Sequence, residues 1–475
     1  MQDSDLVLPA PLASRDAGGR ELLEWLDATI HEARELVRLE QDPGGAESRV
    51  PDRLAAALPL ALGTDGIASA EVLRRLRAVL QATPSSSSWR FVNQLFGGRE
   101  PAAIAAEILA LVPNISMYTF KAAGAQILVE REVLQRMAEK VGLPGAEGCF
   151  TPGGSIANLV ALLLARNAAD PASRDGGAGA LPLTVYTSAE AHYSVPKNAG
   201  IVGIGRHRVR AVAVREDGTL DPGALAAAIA ADRDRGFVPA LVNATAGTTV
   251  RGAFDPIRPI AAIARQHGAW LHVDGAFGGS VALSSTHRHL LDGSELADSF
   301  TWDPHKMMGV PLQCSALIVA RPGALAGSLD ETADYLFQAD EEALNPGHRS
   351  IQCGRRNDAL KLWAAWLRLG DRGWDQRLAR QLGLARRAAE RIAADPELEL
   401  VEEPPSINVC FVVRGAPSDA VCDRLDRDGR LKIGHGVVRG TRAIRLVCVN
   451  PDLEDADLAA ILGEIKAAGR ELRRG

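Results

Sequence analysis

Helix-like and strand-like hydrophobic patterns alternate between about residue 100 and about residue 350. Apolar residues recur at helical spacing in 129–142 and again in 220–236. Short apolar runs, the pattern of buried strands, occur at 181–188, 238–244, 268–276, 298–302 and 315–320. Strands that alternate with helices predict an α/β domain with a mostly parallel sheet covered on both faces.

The flanking regions follow different patterns. Residues 21–39 have the apolar spacing of a helix, and the Ser-rich stretch 81–90 reads as a linker. Beyond about residue 351, a helix at 358–370 precedes strand-like runs at 406–413 and 443–450. These patterns predict three parts: an N-terminal helical segment (1–88), a large domain (89–350) and a small C-terminal α+β domain (351–475).

Composition restricts the class of protein. The chain has 475 residues, of which 47% are hydrophobic and 24% are charged, with a formal net charge of -6. This balance is typical of a soluble globular protein and gives no support to nucleic-acid binding. The N-terminus lacks a signal peptide's pattern, and the apolar stretches are too short to span a membrane. Six scattered cysteines, without a CxxC pair or metal-like clustering, indicate reduced thiols and a cytoplasmic location.

Polar residues follow the predicted strands where ligands bind in such sheets, beyond the carboxyl ends. They are His192, Thr245, Asp274, His305 and Lys306. Taken singly, each has an ordinary structural interpretation. Asp274 could cap the next turn, His192 could be a satisfied buried histidine, and Lys306 could be a surface lysine on a loop.

A glycine-rich turn precedes an apolar helix at 151–159, with Gly154 and Ser155 near the start of the helix. Free backbone N–H groups at such a turn can bind phosphate, although many similar turns only cap a helix. Together with Asp274, His192 and Lys306, however, the turn meets the requirements of pyridoxal phosphate (PLP). The lysine would form a Schiff base, the aspartate would keep the pyridine nitrogen protonated, and the imidazole would stack on the ring.

The chain resembles the PLP-dependent group II amino-acid decarboxylases, and within them the glutamate, cysteine-sulfinate and aspartate decarboxylase branch. The resemblance runs in the family's order from about residue 89 to about residue 451. It is carried by "FVNQLFGG", "FTPGGSIANL", "SAEAHYSV", "VNATAGTTVRGAFDPI", "WLHVDGAFGG", "TWDPHKMMGVPLQCSALIV", "YLFQ", "IQCGRRNDALKLW" and "RLVCVNP". It implies the PLP-dependent transferase-like fold (fold type I) and a homodimer with shared active sites.

The resemblance also implies roles for individual residues. The catalytic positions are Lys306, the Schiff-base lysine, Tyr335, which lies on a mobile loop and protonates the substrate's α-carbon, and His192, which stacks on the cofactor ring. Gln94 and Arg445 bind the distal acid group of the substrate. The cofactor-binding positions are Gly154, Ser155, His192, Thr245, Asp274, His305 and Lys306.

The function expected from these residues is PLP-dependent α-decarboxylation of an acidic L-amino acid to an amine and CO2. A decarboxylase for a basic or unusual amino acid, such as 2,4-diaminobutyrate, is an alternative that Arg445 disfavours. An aldehyde-forming enzyme is disfavoured by the presence of both His192 and Tyr335. A catalytically silent binding protein is disfavoured by Lys306 and Asp274 together.

Some positions depart from the pattern of the animal glutamate enzymes. Asp303 replaces Asn, Gly275 replaces Ala, and Phe277 replaces Trp, while Lys121 and Gly124 stand where Glu and Pro are common. All lie near the expected pocket. They leave open which acidic amino acid is the substrate, since one methylene is worth only about 1–3 kcal/mol of discrimination.

Overall fold

The computed structural model describes residues 17–41, 51–331 and 344–474. The chain forms two compact units. The first comprises the residues up to 88 together with 426–430, and the second comprises 89–425 and 431–475. The division of the sequence into three domains stays a prediction.

The first unit contains helices α1 (Ala17–Gln41), α2 (Pro51–Ala57) and α3 (Ser69–Gln81). Arg77 of α3 forms an ion pair with Glu32 of α1. Both α1 and α3 are amphipathic, yet no described side chain of either helix is fully buried in the single chain.

The second unit is built on a seven-stranded sheet with the order β1-β7-β6-β5-β4-β2-β3. The pairs β2–β3, β2–β4, β4–β5 and β5–β6 are parallel, whereas β7 runs antiparallel to both of its neighbours. The predicted mostly parallel sheet is therefore confirmed. The strands are β1 (Glu147–Thr151), β2 (Leu183–Ser188), β3 (Val209–Val212), β4 (Val238–Thr245), β5 (Trp270–Gly275), β6 (Ser299–Trp302) and β7 (Ser315–Val319).

Helices cover this sheet and connect its strands. The α-helices are α4 (Pro101–Leu111), α5 (Phe120–Ala123), α6 (Ala125–Lys140), α7 (Gly154–Ala169), α8 (Ser173–Gly176), α9 (Ser194–Ile201), α10 (Pro222–Asp234), α11 (Ile257–Gln266) and α12 (Ala324–Leu329). Short 3-10 helices lie at Arg206–Arg208, Gly278–Leu283, Arg288–Leu291, Ser294–Leu296 and Pro346–Arg349.

Helix α7 matters most for the site because it packs across the sheet from β1 to β4. Its Ala- and Leu-rich sequence favours a helix that is apolar on most sides, and Ala157, Val160 and Leu164 are buried. One polar side chain of α7, Asn158, is buried with them. A buried side-chain amide needs hydrogen-bond partners, so Asn158 is expected to bond to polar groups within this otherwise apolar layer.

The C-terminal part has a four-stranded antiparallel sheet with the order β10-β11-β9-β8. The helix predicted at 358–370 continues to Ala394, but the backbone of Gly370 is non-helical (φ +59°), which kinks it. In the described part of the chain, no helix is both long and apolar enough to cross a membrane. The elements are α13 (Asp358–Ala394), β8 (Leu398–Leu400), β9 (Asn408–Val413), α14 (Ser418–Arg427), β10 (Gly434–Val438), β11 (Thr441–Val447) and α15 (Asp455–Arg474).

Candidate active site

The predicted polar residues meet at the carboxyl ends of adjacent parallel strands. Thr245, the last residue of β4, pairs with Asp274 near the end of β5, and Asp274 pairs with Thr301 of β6. The turn after β6 then carries Asp303 and Lys306, closed by the Lys306 N–H donating to the Asp303 carbonyl at 2.9 Å. Parallel pairing thus places residues that are distant in sequence at one edge.

Lys306 faces a buried carboxylate. Its Nζ lies 3.2 Å from Oδ2 of Asp303, and about a fifth of its side chain is exposed. The other Asp303 oxygen accepts a hydrogen bond from the Ser315 hydroxyl. His305, also buried, lies with its Nε2 3.6 Å from Asp303 Oδ2, and burial lowers the pKa of its imidazole. Lys306 therefore lies within ion-pair distance of a buried carboxylate.

His192 is a partly buried, neutral imidazole in the same cluster. Burial lowers its pKa, Lys306 lowers it further, and the carboxylates of Asp274 and Asp303 oppose the shift. Its Nδ1 accepts the Ser194 N–H at 3.2 Å, so the proton of the neutral ring is on Nε2. A neutral ring of this kind is suited to stacking on a flat aromatic ligand.

Asp274 is buried, and each of its two oxygens accepts one hydrogen bond. Its Oδ2 accepts from Asn158 Nδ2 at 2.8 Å, and its Oδ1 accepts from the Ala276 N–H at 3.1 Å. The same Asn158 amide group donates to the Ser194 hydroxyl at 3.1 Å. This shared amide links the segment that holds His192 to Asp274.

The glycine-rich turn leaves the start of α7 open to an anion. Gly153 has a φ of +112°, and a Cβ at Gly154 would lie 2.5 Å from Asp303 Oδ2, so glycine is required at both positions. Among the described residues, no acceptor pairs with the amide N–H groups of Gly154 and Ser155. Free amides at the start of a 16-residue helix suit a phosphate group.

Thr245 is buried, and its N–H donates to Asp255 Oδ2 at 2.7 Å. Asp255 also accepts from the Leu220 N–H at 2.7 Å, and burial raises the pKa of its carboxyl to about 7. Asp255 lies within the "GAFDPI" motif and was not predicted to be a functional residue. A lone aspartate after a turn gave no signal that it anchors the end of β4.

Arg445 contacts the chain next to Gln94, at the residue that precedes it. Arg445, on β11, donates from Nη1 to the Thr249 carbonyl at 2.8 Å and from Nη2 to the Asn93 carbonyl at 2.6 Å. Gln94 is the exposed neighbour of Asn93. Thr249 lies in the turn that follows β4, so this arginine is attached to the same edge that carries Thr245. Burial lowers the pKa of Arg445.

The partners of Arg445 are neutral. In the described ranges, no carboxylate lies within ion-pair distance of Arg445, and its Nε has no acceptor. Tyr335, the predicted proton donor, lies outside the described residues.

Local features of the structure accompany three of the departures. A Cβ at Gly275 would lie 2.5 Å from the Phe300 ring, so the Ala usual at this position would collide with Phe300. Phe277 is buried, and a Cβ at Gly247 would approach its ring to 3.0 Å. Gly124 has a φ of +52°, which proline cannot adopt.

The fold and the site define a class of protein. One edge of an α/β sheet carries a lysine, a buried aspartate, a neutral histidine and an open helix N-terminus. These four groups fit the aldehyde, the ring nitrogen, the ring face and the phosphate of PLP, respectively. The comparison with known families agrees. The chain belongs to the pyridoxal-dependent decarboxylase family, whose conserved domain matches residues 51–414.

Individual relatives cover nearly the whole chain. Cysteine sulfinic acid decarboxylase of Rattus norvegicus is 41% identical over 450 residues, which span 90% of this chain and 91% of the relative. Acidic amino acid decarboxylase GADL1 of Mus musculus is 36% identical over 490 residues, which span 98% of this chain and 89% of the relative. The crystal structure of mouse CSAD superimposes with a TM-score of 0.91 at 36% identity, covering 96% of this chain and 100% of that chain. The predicted fold class, PLP cofactor and decarboxylase class are confirmed.

Proposed function

We propose that the protein decarboxylates an acidic L-amino acid (cysteine sulfinate, glutamate or aspartate), releasing CO2 and the corresponding amine. The observation that carries the substrate class is Arg445, a partly buried guanidinium bound only to neutral carbonyls in the described part of the chain. An uncompensated guanidinium favours an anionic ligand, and its planar fork suits a carboxylate or sulfinate. Relatives named for cysteine sulfinic acid and acidic amino acids support the same class.

We assign the cofactor contacts to the cluster at the strand ends. The Lys306 amine would hold PLP covalently, the open amides of Gly154 and Ser155 would bind its phosphate, and His192 would stack on its ring. Asp274 would stabilise a proton on the ring nitrogen. Bound PLP supplies an electron sink for the electron pair left when a carboxyl group departs as CO2.

We assign the remaining steps to groups of this chain. Arg445 and Gln94 orient the substrate through its distal acid group, so that the α-carboxylate is the group that leaves. Asp303, whose Oδ2 lies 3.2 Å from Lys306 Nζ, would orient the lysine amine. Tyr335 delivers a proton to the substrate's α-carbon, since a phenol is an adequate general acid when it is held close.

We also propose a homodimer with shared active sites. Helices α1 and α3 carry large apolar side chains that are about half exposed, including Leu23 at 59% and Leu76 at 52%. An apolar stripe of this kind on two amphipathic helices is typical of a surface that a second copy covers. Light scattering on the purified protein should give twice the mass of one chain, and a monomer at micromolar concentration would contradict the proposal.

The substrate proposal is tested by measuring amine and CO2 from a panel of amino acids. The panel contains cysteine sulfinate, cysteate, glutamate and aspartate, with 2,4-diaminobutyrate as the cationic comparison. We expect kcat/KM to be at least a hundredfold higher for one or more acidic substrates than for diaminobutyrate. A preference for diaminobutyrate would overturn the acidic assignment while leaving the decarboxylase class in place.

A further inference from the structure

A continuous chain of buried hydrogen bonds runs beneath the cofactor-binding edge from Trp270 to Asp274. Trp270 Nε1 lies 2.8 Å from Ser299 Oγ, which lies 2.8 Å from His272 Nδ1. On the other side of the ring, His272 Nε2 lies 3.0 Å from Asn158 Oδ1, and the Asn158 amide reaches Asp274. All five side chains are buried.

The sheet geometry explains how these residues meet. Trp270, His272 and Asp274 alternate along β5, so their side chains lie on the same face of the sheet. Ser299 is the β6 partner of His272, and it joins the chain from the neighbouring strand. Helix α7 covers this face, and it contributes Asn158 from above.

The direction of every hydrogen bond is fixed by the two ends. Trp270 can only donate, and an ionised Asp274 can only accept. The Asn158 atom facing Asp274 must therefore be its NH2 group, which turns its oxygen towards His272. His272 must then carry its proton on Nε2, leaving Nδ1 to accept from the Ser299 hydroxyl. Burial lowers the pKa of His272 to about 4, which keeps the ring neutral as this arrangement requires.

We propose that His272 is a positioning residue that keeps the Asn158 amide donating to Asp274. A rotated Asn158 would place its oxygen 2.8 Å from a carboxylate oxygen, where two acceptors repel each other. Thr301 Oγ1, 3.4 Å from His272 Nε2, is too distant to replace Asn158 as the main acceptor. The proposal rests on the proposed role of Asp274 as the partner of the cofactor's ring nitrogen.

The alternative is that His272 only fills space, and three substitutions separate the two roles. His272→Gln places an amide NH2 near the position of Nε2, so it can still donate to Asn158. His272→Asn is too short to reach Asn158 but stays polar. His272→Phe keeps the ring volume and removes both nitrogens.

The test is the 15N chemical shift of the cofactor's ring nitrogen, measured on holoenzyme loaded with 15N-labelled PLP, together with the dissociation constant of PLP. We expect His272→Gln to keep the wild-type, protonated-nitrogen shift. His272→Asn and His272→Phe should move the shift towards that of a neutral pyridine and raise the dissociation constant about tenfold, as expected for one weakened charge-assisted hydrogen bond. Wild-type values in folded His272→Phe and His272→Asn would overturn the proposal.

Two further variants keep the outcome decisive. If Asp274→Asn leaves the 15N shift unchanged, the proposed role of Asp274 itself is wrong. If Asp274→Asn changes the shift but the His272 variants do not, only the positioning role of His272 is refuted. If the Asn and Phe variants do not fold, His272→Leu replaces them, because it also removes both ring nitrogens. An unchanged shift in folded His272→Leu would also overturn the proposal.

Discussion

Arg445→Met separates an arginine that binds the substrate from one that only supports the fold. Methionine keeps most of the side-chain volume but removes the guanidinium. In the structure the guanidinium donates to the carbonyls of Thr249 and Asn93. The Thr249 carbonyl also accepts from Asn408 Nδ2 at 3.1 Å, so it keeps one donor in the variant. The Asn93 carbonyl loses the donor that Arg445 supplies.

The cost to stability should therefore be small. The two hydrogen bonds lost with the guanidinium amount to about 1–2 kcal/mol, since the Thr249 carbonyl keeps a second donor, and removing the costly burial of the guanidinium offsets part of this. The cost to catalysis should be larger. If Arg445 makes two charge-assisted hydrogen bonds to the substrate's acid group, each worth about 1.5–3 kcal/mol, kcat/KM falls by about two to four powers of ten.

The assay is kcat/KM for the best acidic substrate, measured together with PLP content and melting temperature. Arg442→Met is the matched control because Arg442 lies on the same strand, is half exposed and pairs with Asp419 at 3.4 Å. The control should keep wild-type activity within a factor of about three. If Arg445→Met also keeps its activity on every acidic amino acid, or unfolds while the control stays folded, Arg445 is structural and the substrate class is open again.

Three other predictions concern the cofactor, the assembly and the buried histidine. Lys306→Ala should abolish turnover and the cofactor linkage that borohydride makes permanent; a reducible linkage in the variant would show that another amine carries the cofactor. Mixing Lys306→Ala chains with Tyr335→Phe chains should restore partial activity, because one hybrid site of a shared dimer keeps both groups; no restoration after proven subunit exchange would contradict shared sites. His272 is neutral in the fold with a pKa of about 4, against 6.5 in the unfolded chain, so its contribution to stability is complete above pH 6.5 and is lost as the pH falls towards 4. Between pH 7 and pH 5 the free energy of unfolding should fall by about 2 kcal/mol more in the wild type than in His272→Gln, and equal losses in urea titrations would contradict the assigned burial.

The sequence alone determined the fold class and most of the polar cluster at the strand ends. Lys306 and Asp274 were predictable because each follows a short apolar run, and the end of a parallel strand is where such a fold binds its ligands. The mostly parallel sheet was also predictable, because the alternation of helix-like and strand-like hydrophobic patterns is a local feature of the sequence. Strands β1 and β3 gave weaker signals, because they are short and part of each is solvent-accessible.

Only the tertiary structure decided which distant residues meet and what holds them. Nothing local to Arg445 indicated that its guanidinium bonds the carbonyl of Asn93, 352 residues away. Asn158 and His272 lie in motifs that the chain shares with the family, but their hydrogen bonds depend on α7 packing over one face of β5. A hydrogen-bond chain has a direction only when both of its ends are known, and those ends come together through packing. Local hydrophobic periodicity therefore predicts the elements and their edges, whereas the partners of buried polar groups depend on long-range contacts.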